Sequence, residues 1–144
     1  MSTHMTADTT AATPAVKGVP NTGLLRFALG ADAVVTGANG LAYLALGGVI
    51  DSLLGIEASA LRVVGAFLVV YAAGVALLAR RTRVPRIGVM AVVVLNAVWA
   101  IDSIIVAAAG WYTPSTVGTV WIVMQAIVVA GFAALQYAGL KRAA

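Results

Sequence analysis

Residues 117–140 read VGTVWIVMQAIVVAGFAALQYAGL, a predominantly apolar stretch with no charged side chain. A transmembrane helix needs about 20 such residues to cross the roughly 30 Å hydrocarbon layer of a bilayer. Three earlier stretches, residues 24–50, 59–79 and 87–109, meet the same requirement with at most one or two charges each. The sequence therefore predicts an all-α membrane protein, a bundle of four transmembrane helices over residues 24–140.

The composition of the whole chain supports this class. Apolar residues make up 62% of the chain and charged residues 10%, with a mean hydropathy of +1.01. Soluble domains have about 45–50% apolar and about 25% charged residues, so lipid is the expected solvent. The chain has no cysteine and one histidine, His4, which excludes disulfides, iron–sulfur clusters and Cys-ligated zinc. We expect no metal and no cofactor.

The connecting segments have the composition of turns and tails. Residues 1–23 are rich in Thr, Ala and Pro and predict a disordered cytoplasmic tail, and residues 141–144 form a second short tail. The stretch 110–116, GWYTPST, separates the third and fourth helices because its Gly, Pro and Ser break the helical pattern. Ser59 is the expected N-cap of the second helix, and Pro85 stands just before the third.

The positions of the basic residues predict the orientation. Short cytoplasmic loops carry more Lys and Arg than the loops on the other side. The N-terminal region, the connection between the second and third helices and the C-terminus hold nearly all of them: Lys17, Arg26, Arg80, Arg81, Arg83, Arg86, Lys141 and Arg142. Both termini are therefore predicted to be cytoplasmic, with membrane lipids rather than nucleic acid facing these charges.

Polar side chains inside the predicted spans are candidates for a functional site. An ionisable group near mid-bilayer costs at least about 2.5–3.5 kcal/mol on insertion scales, so it normally faces the bundle interior. Asp32 shares a helical face with Thr36 and Asn39. The full predicted set for ligand binding or proton coupling is Asp32, Thr36, Asn39, Tyr71, Asn96, Trp99, Asp102 and Gln125. The alternative is that these residues only form hydrogen bonds that hold the helices together.

Two further pairings are expected between helices. Arg62 and Asp102 fall at similar depth near the outer ends of their helices, which predicts a structural ion pair. The fourth helix carries small residues at four-residue spacing, and such stripes let two helices approach closely. These are Ala126, Ala130, Ala134 and Ala138. The stripe is expected either to pack within one bundle or to form the seam of a homodimer.

A family resemblance lies in the first two helices. The stretch LLRFALGADAVVTGANGLAYL, residues 24–44, with Arg26, Gly30 and Gly37, resembles the opening of the DoxX-like small four-helix membrane proteins of bacteria. The second helix, LRVVGAFLVVYAAGVALLARR, is similar in style. The resemblance implies a bacterial plasma-membrane setting and a partner in a membrane oxidoreductase complex. It transfers no catalytic residue.

Two classes of function remain open. The first is a non-enzymatic module that binds a lipid, a quinone or another apolar small molecule, or that serves as an accessory subunit of a membrane complex. The second is a small proton-coupled transporter, working as a dimer, in which Asp32 exchanges a proton for substrate. An enzyme ranks last, because the spans offer no set of nucleophile, base and metal ligands.

Overall fold

Four long helices account for nearly all of the fold. The computed structural model describes residues 18–143, and the helices are α1 (Gly23–Leu54), α2 (Ala58–Arg80), α3 (Arg86–Ala109) and α4 (Thr116–Ala143). Each is long and apolar enough to span a membrane. This confirms the predicted all-helical class and the presence of four candidate spans in the described part of the chain.

The helix ends differ from the prediction where α1 leads into α2. The first helix continues to Leu54, so Asp51 lies in its last turn and not in a loop. Gly55 ends it in the left-handed conformation, at φ 70°, and its N–H donates to the Asp51 carbonyl. The second helix begins at Ala58 after Glu57, which places Ser59 inside the helix. The prediction of Ser59 as an N-cap is therefore wrong.

Glycine sets the closest crossing in the bundle, between α1 and α2. A Cβ atom on Gly65 would lie 2.7 Å from the Gly40 carbonyl oxygen and 2.8 Å from the Tyr43 Cβ. A Cβ on Gly40 would lie 2.9 Å from the Gly65 carbonyl oxygen. The two backbones meet where neither residue has a side chain, which is how transmembrane helices associate when no hydrophobic effect operates between them.

The helices do not all pack equally. α1 packs along both α2 and α4, and α3 packs along α4, whereas α2 and α3 approach each other at few positions. One apolar cluster joins all four helices at the end that carries the arginines: Leu25, Leu29, Val75, Val84, Val89, Val92 and Leu140. A second lies toward the other end: Tyr43, Leu54, Leu61 and Leu68. The loosely packed α2–α3 seam is where space remains inside the bundle.

A short strap crosses the arginine-bearing end of the bundle. Strand β1 (Val19–Pro20) pairs antiparallel with strand β2 (Arg83–Val84). Asn21 is fully buried beside them, and its Nδ2 donates to the carbonyls of Leu78, Ala79 and Arg81 at 2.8 to 3.2 Å. These carbonyls lie at the end of α2, where the helix runs out of N–H donors, and that of Leu78 also accepts the Arg81 N–H. The predicted disorder of residues 1–23 is therefore wrong for 18–22, and residues 1–17 lie outside the described residues.

At the opposite end, one serine ties α4 to α1. The Ser115 hydroxyl accepts the Gly118 N–H at 3.0 Å, which caps α4, and donates to the Leu53 carbonyl at 2.6 Å. The Ser115 N–H also donates to the Leu54 carbonyl at 2.9 Å. The predicted helix break at 110–116 therefore also fastens the two helix ends together. Trp111 and Tyr112 are exposed in this connection.

The alanine stripe of α4 is only partly inside the chain. Ala126 is buried, but Ala130 and Ala134 are exposed and Ala138 is half-buried. The face that packs inward is turned slightly from it: Gly118, Ala126, Ala133, Gln136, Gly139 and Leu140. Close approaches there are at Gly118, where a Cβ would overlap the Leu54 carbonyl oxygen, and at Gly139, where a Cβ would lie 2.7 Å from the Leu25 Cα. Packing within one chain therefore uses part of the stripe and leaves Ala130 and Ala134 open.

The α1–α2 crossing gives a test of the packing. We expect Gly65→Ala to lower the free energy of unfolding by about 1–3 kcal/mol, since the added methyl overlaps the α1 backbone. Gly74→Ala, in the same helix, is the matched control, because nothing lies within 4 Å of a Cβ there; it should be neutral or slightly stabilising. Unfolding in detergent measures both. Equal effects of the two substitutions would show that the crossing is not close.

Candidate functional site

A buried carboxylate lies at the centre of the polar interior. Asp32 of α1 is 0% exposed. Its Oδ1 accepts the Thr36 hydroxyl at 2.8 Å, and its Oδ2 accepts the side-chain N–H groups of Asn96 and Gln136, each at 2.8 Å. These donors come from α1, α3 and α4. No Lys or Arg pairs with Asp32 in residues 18–143, so neutral donors alone satisfy the carboxylate.

The second helix joins this network through Tyr71. The Tyr71 hydroxyl lies 3.0 Å from the Asn96 Oδ1 and 3.3 Å from the Val92 carbonyl, and it can donate to either. Asn96 is 4% exposed and also donates to the Gln136 Oε1 at 3.0 Å. Four of the residues predicted for the interior site, Asp32, Thr36, Tyr71 and Asn96, therefore lie in one hydrogen-bonded group that all four helices contribute to.

Gln136 is the member of this network that the sequence analysis missed. It is fully buried, and its amide bridges Asp32 and Asn96. Gln136 could have been predicted from the sequence by comparing its depth along α4 with the depth of Asp32 along α1. Asp32 lies roughly 13 Å from the start of α1 and Gln136 roughly 10 Å from the end of α4, at about 1.5 Å per residue. Both helix ends lie at the arginine-bearing side, so the two side chains are at similar depth.

Three aromatic rings fill the seam between α2 and α3. Phe67 stacks on Tyr71 with ring centroids 6.1 Å apart and an interplanar angle of 16°. It also stacks on Trp99 of α3, at 6.1 Å and 9°. Offset stacking of this kind suits the quadrupoles of aromatic rings. The helices that pack least closely are therefore bridged by the Tyr71–Phe67–Trp99 stack, which we call the aromatic wall.

A cavity of about 210 Å³ lies between the aromatic wall and the Asp32 network, and we call it the inner cavity. Its lining is mostly apolar, with a few polar side chains. The full set of lining residues is Thr36, Phe67, Leu68, Tyr71, Leu95, Asn96, Val98, Trp99, Asp102 and Val129. A larger cavity of about 480 Å³ between α1 and α4 shares Thr36, Leu68, Trp99 and Val129 with it and also reaches Asn39 and Gln125. Mostly apolar lining with few polar groups is typical of small-molecule sites.

Four of the predicted site residues lie outside the Asp32 network: Asn39, Trp99, Asp102 and Gln125. Gln125 donates through Nε2 to the Tyr43 hydroxyl at 3.1 Å, and Trp121 donates to the same oxygen at 2.8 Å. Tyr43 is buried, so this is a second hydrogen-bonded cluster, nearer the end of the bundle where α1 leads into α2. Asn39 is half-buried and lines the larger cavity. The predicted single interior site is therefore two polar clusters along one system of cavities.

The structure does not show the predicted ion pair between Arg62 and Asp102. The Arg62 side chain lies against α1, where a Cβ on Gly48 would be 2.9 Å from its guanidinium and a Cβ on Gly47 would be 3.2 Å from its Cγ. Asp102 is exposed and borders the inner cavity. Because the glycines leave room for the long arginine stem on α1, the two charges turn to different surfaces.

The polar network holds one carboxylate and two hydroxyls, those of Asp32, Thr36 and Tyr71. Within residues 18–143, no three His, Asp or Glu side chains lie close enough together to hold a metal ion. The Thr36 hydroxyl donates to the Asp32 carboxylate, and the Tyr71 hydroxyl lies within hydrogen-bond distance of the Asn96 Oδ1, so both take part in the buried network. The arrangement can position a molecule by apolar and aromatic contact and by a few hydrogen bonds.

Comparison with protein-family models, curated proteins and solved structures finds no match to this chain. The resemblance to DoxX-like proteins therefore stays a prediction from the sequence. Function has to be argued from the polar network, the aromatic wall and the cavities.

Proposed function

We propose that this chain is a small non-enzymatic integral membrane protein that binds an apolar small molecule, such as a lipid or a quinone, in the inner cavity. The observation that carries the proposal is the position of this cavity, with the aromatic wall on one side and the buried Asp32 network on the other. Such a pocket gives an apolar molecule both contact area and orientation.

The size of the inner cavity restricts what it takes. An apolar cavity of about 150 Å³ holds benzene, so about 210 Å³ suits one ring with a small substituent. The larger cavity that shares Thr36 and Trp99 with it offers room for a tail. A single ring carrying an aliphatic chain matches these two volumes, with the ring beside Phe67 and Trp99.

A bound molecule would find hydrogen-bonding groups in the wall. Tyr71 donates its only hydroxyl proton inside the network, so its oxygen can still accept a hydrogen bond. Trp99 borders both cavities, and its indole N–H has no hydrogen-bond partner within residues 18–143. One donor and one acceptor therefore face a molecule that is otherwise held by apolar contact.

Filling the inner cavity tests the proposal. Val98 lines this cavity and is 56% exposed, so Val98→Trp adds bulk there without disturbing buried packing. We expect native mass spectrometry of the gently extracted protein to show a bound small molecule in the wild type. In Val98→Trp the occupancy should be lower by a factor of about ten or more, since overpacking costs about 1–3 kcal/mol. Val94→Trp is the matched control, because Val94 is 52% exposed on the same helix and does not line this cavity.

Occupancy retained in Val94→Trp and lost in Val98→Trp supports a binding module. A wild-type protein that carries no small molecule contradicts it, and so does equal occupancy in all three proteins. If a protein subunit copurifies in place of a small molecule, the chain is an accessory subunit of a membrane complex and not a binding module. Ala130 and Ala134, which are exposed on α4, are where we place such a partner or a second copy of this chain.

We further propose a bacterial plasma-membrane location with both termini in the cytoplasm. Packing brings Arg26, the Arg80–Arg86 connection and Lys141 and Arg142 to one end of the bundle, since β1 pairs with β2 and Gly139 packs on Leu25. The opposite end carries Asp51, Glu57 and Arg62. This asymmetry favours a cytoplasmic basic end. Labelling of single introduced cysteines reads the orientation directly, because the chain has none of its own.

A small proton-coupled dimeric transporter is the second candidate, and a specific observation favours it. Asp32 is a fully buried acid that hydrogen-bonds to residues on three helices, so a change in its protonation would alter contacts between helices. If the chain is a transporter, a gradient of its substrate should drive protons across the membrane of proteoliposomes, read by a trapped pH dye. Asp32→Asn should abolish this proton movement. Asp51→Asn at the helix end should leave it intact. Proton movement that persists in Asp32→Asn would exclude this mechanism.

A further inference from the structure

Asp102, an exposed residue of α3, borders two of the cavities. It borders the inner cavity, and it also borders an outer cavity of about 240 Å³ that extends toward Tyr112. Trp99, one turn away on the same face of α3, borders both as well. A molecule that enters from the side of Tyr112 would therefore meet Asp102 and Trp99 before it reaches Phe67 and Tyr71.

The carboxylate of Asp102 has no counter-charge in the structure. No hydrogen bond or ion pair of Asp102 is present among residues 18–143, and neither cavity is lined by a Lys or Arg. Arg62, the basic residue at this end of the bundle, lies against Gly48 of α1. Asp32, by contrast, accepts three hydrogen bonds. An acid roughly 10 Å inside the end of α3 needs a partner, because unpaired charge in hydrocarbon is costly.

The side chains around Asp102 suit a positive partner. Phe67 stacks on both Tyr71 and Trp99, so the outer face of Trp99 remains available. The face of an aromatic ring attracts a cation, most strongly for tryptophan, and the attraction rises when water is excluded. A carboxylate beside aromatic rings is thus complementary to an organic ammonium group and repels an anion.

We propose that the ligand of this site is an organic cation, an ammonium group on a one-ring apolar body, with its charge between Asp102 and Trp99 and its ring against Phe67. This inference rests on the proposed binding function and names the class of molecule bound. It assigns the two acids different roles, since Asp32 holds the helices while Asp102 selects the charge of the ligand.

A pair of probes of equal shape separates charge from fit. Benzyltrimethylammonium and neopentylbenzene differ only in a quaternary nitrogen that replaces a carbon. Binding of each to the full chain in lipid nanodiscs is measured by equilibrium dialysis. We expect wild type to bind the cation at least about tenfold more tightly than the neutral probe, and Asp102→Asn to lose this preference while keeping its affinity for the neutral probe. Glu57→Gln, which removes an exposed acid away from the inner cavity, is the charge-matched control.

The outcomes test the cation assignment separately from the proposed binding function. Equal binding of the two probes by wild type overturns the cation assignment and leaves a neutral ligand for the same cavity. Cation preference that survives in Asp102→Asn, or that is lost equally in Glu57→Gln, also overturns it. If wild type binds neither probe, the proposed binding function fails as well. The comparison of probes on wild type stands even if Asp102→Asn does not fold.

Discussion

The hydrogen bonds to the Asp32 carboxylate are the constraint on which the interior of the bundle depends. Inside a bilayer no water is present to solvate a polar group, so each one has to find its partner within the protein. Asp32 finds its donors in Thr36, Asn96 and Gln136, at 2.8 Å each. Because these residues belong to three helices, satisfying one carboxylate fixes the rotation and depth of α1, α3 and α4 together. Tyr71 extends the same restraint to α2.

The cavity follows from how the remaining helix pair packs. Glycine lets α1 and α2 meet backbone to backbone at Gly40 and Gly65, whereas α2 and α3 stay apart and are bridged by stacked rings. Rings span a wider gap than small residues do, and the gap is not filled completely. The result is a pocket that has a satisfied polar network behind it and, at its border, Asp102, which has no partner among residues 18–143. For this reason we assign a structural role to Asp32 and propose that Asp102 selects the charge of the ligand.

Helix number and class could be predicted from the sequence because in lipid they depend on length and hydropathy alone. The grouping of Asp32, Thr36, Tyr71 and Asn96 was also predictable, since depth and helical face follow from residue number. Gln136 was missed because an amide in an uncharged span stands out less than an acid. The strap at Asn21 was missed because its hydrogen bonds go to the α2 end, distant in sequence. The direction of Arg62 depends on space above Gly47 and Gly48, which no local pattern reveals.

The most direct test of this account is a double-mutant cycle between Asp32→Leu and Gln136→Leu, with the free energy of unfolding measured in detergent. We predict a coupling above about 0.5 kcal/mol, since the two side chains share a buried hydrogen bond. Gln125→Leu is the control, because Gln125 bonds to Tyr43 and lies roughly 16 Å from Gln136 along α4 at about 1.5 Å per residue; its effect should add to that of Asp32→Leu. Additive effects in both cycles would contradict the claim that the Asp32 carboxylate holds the helices together.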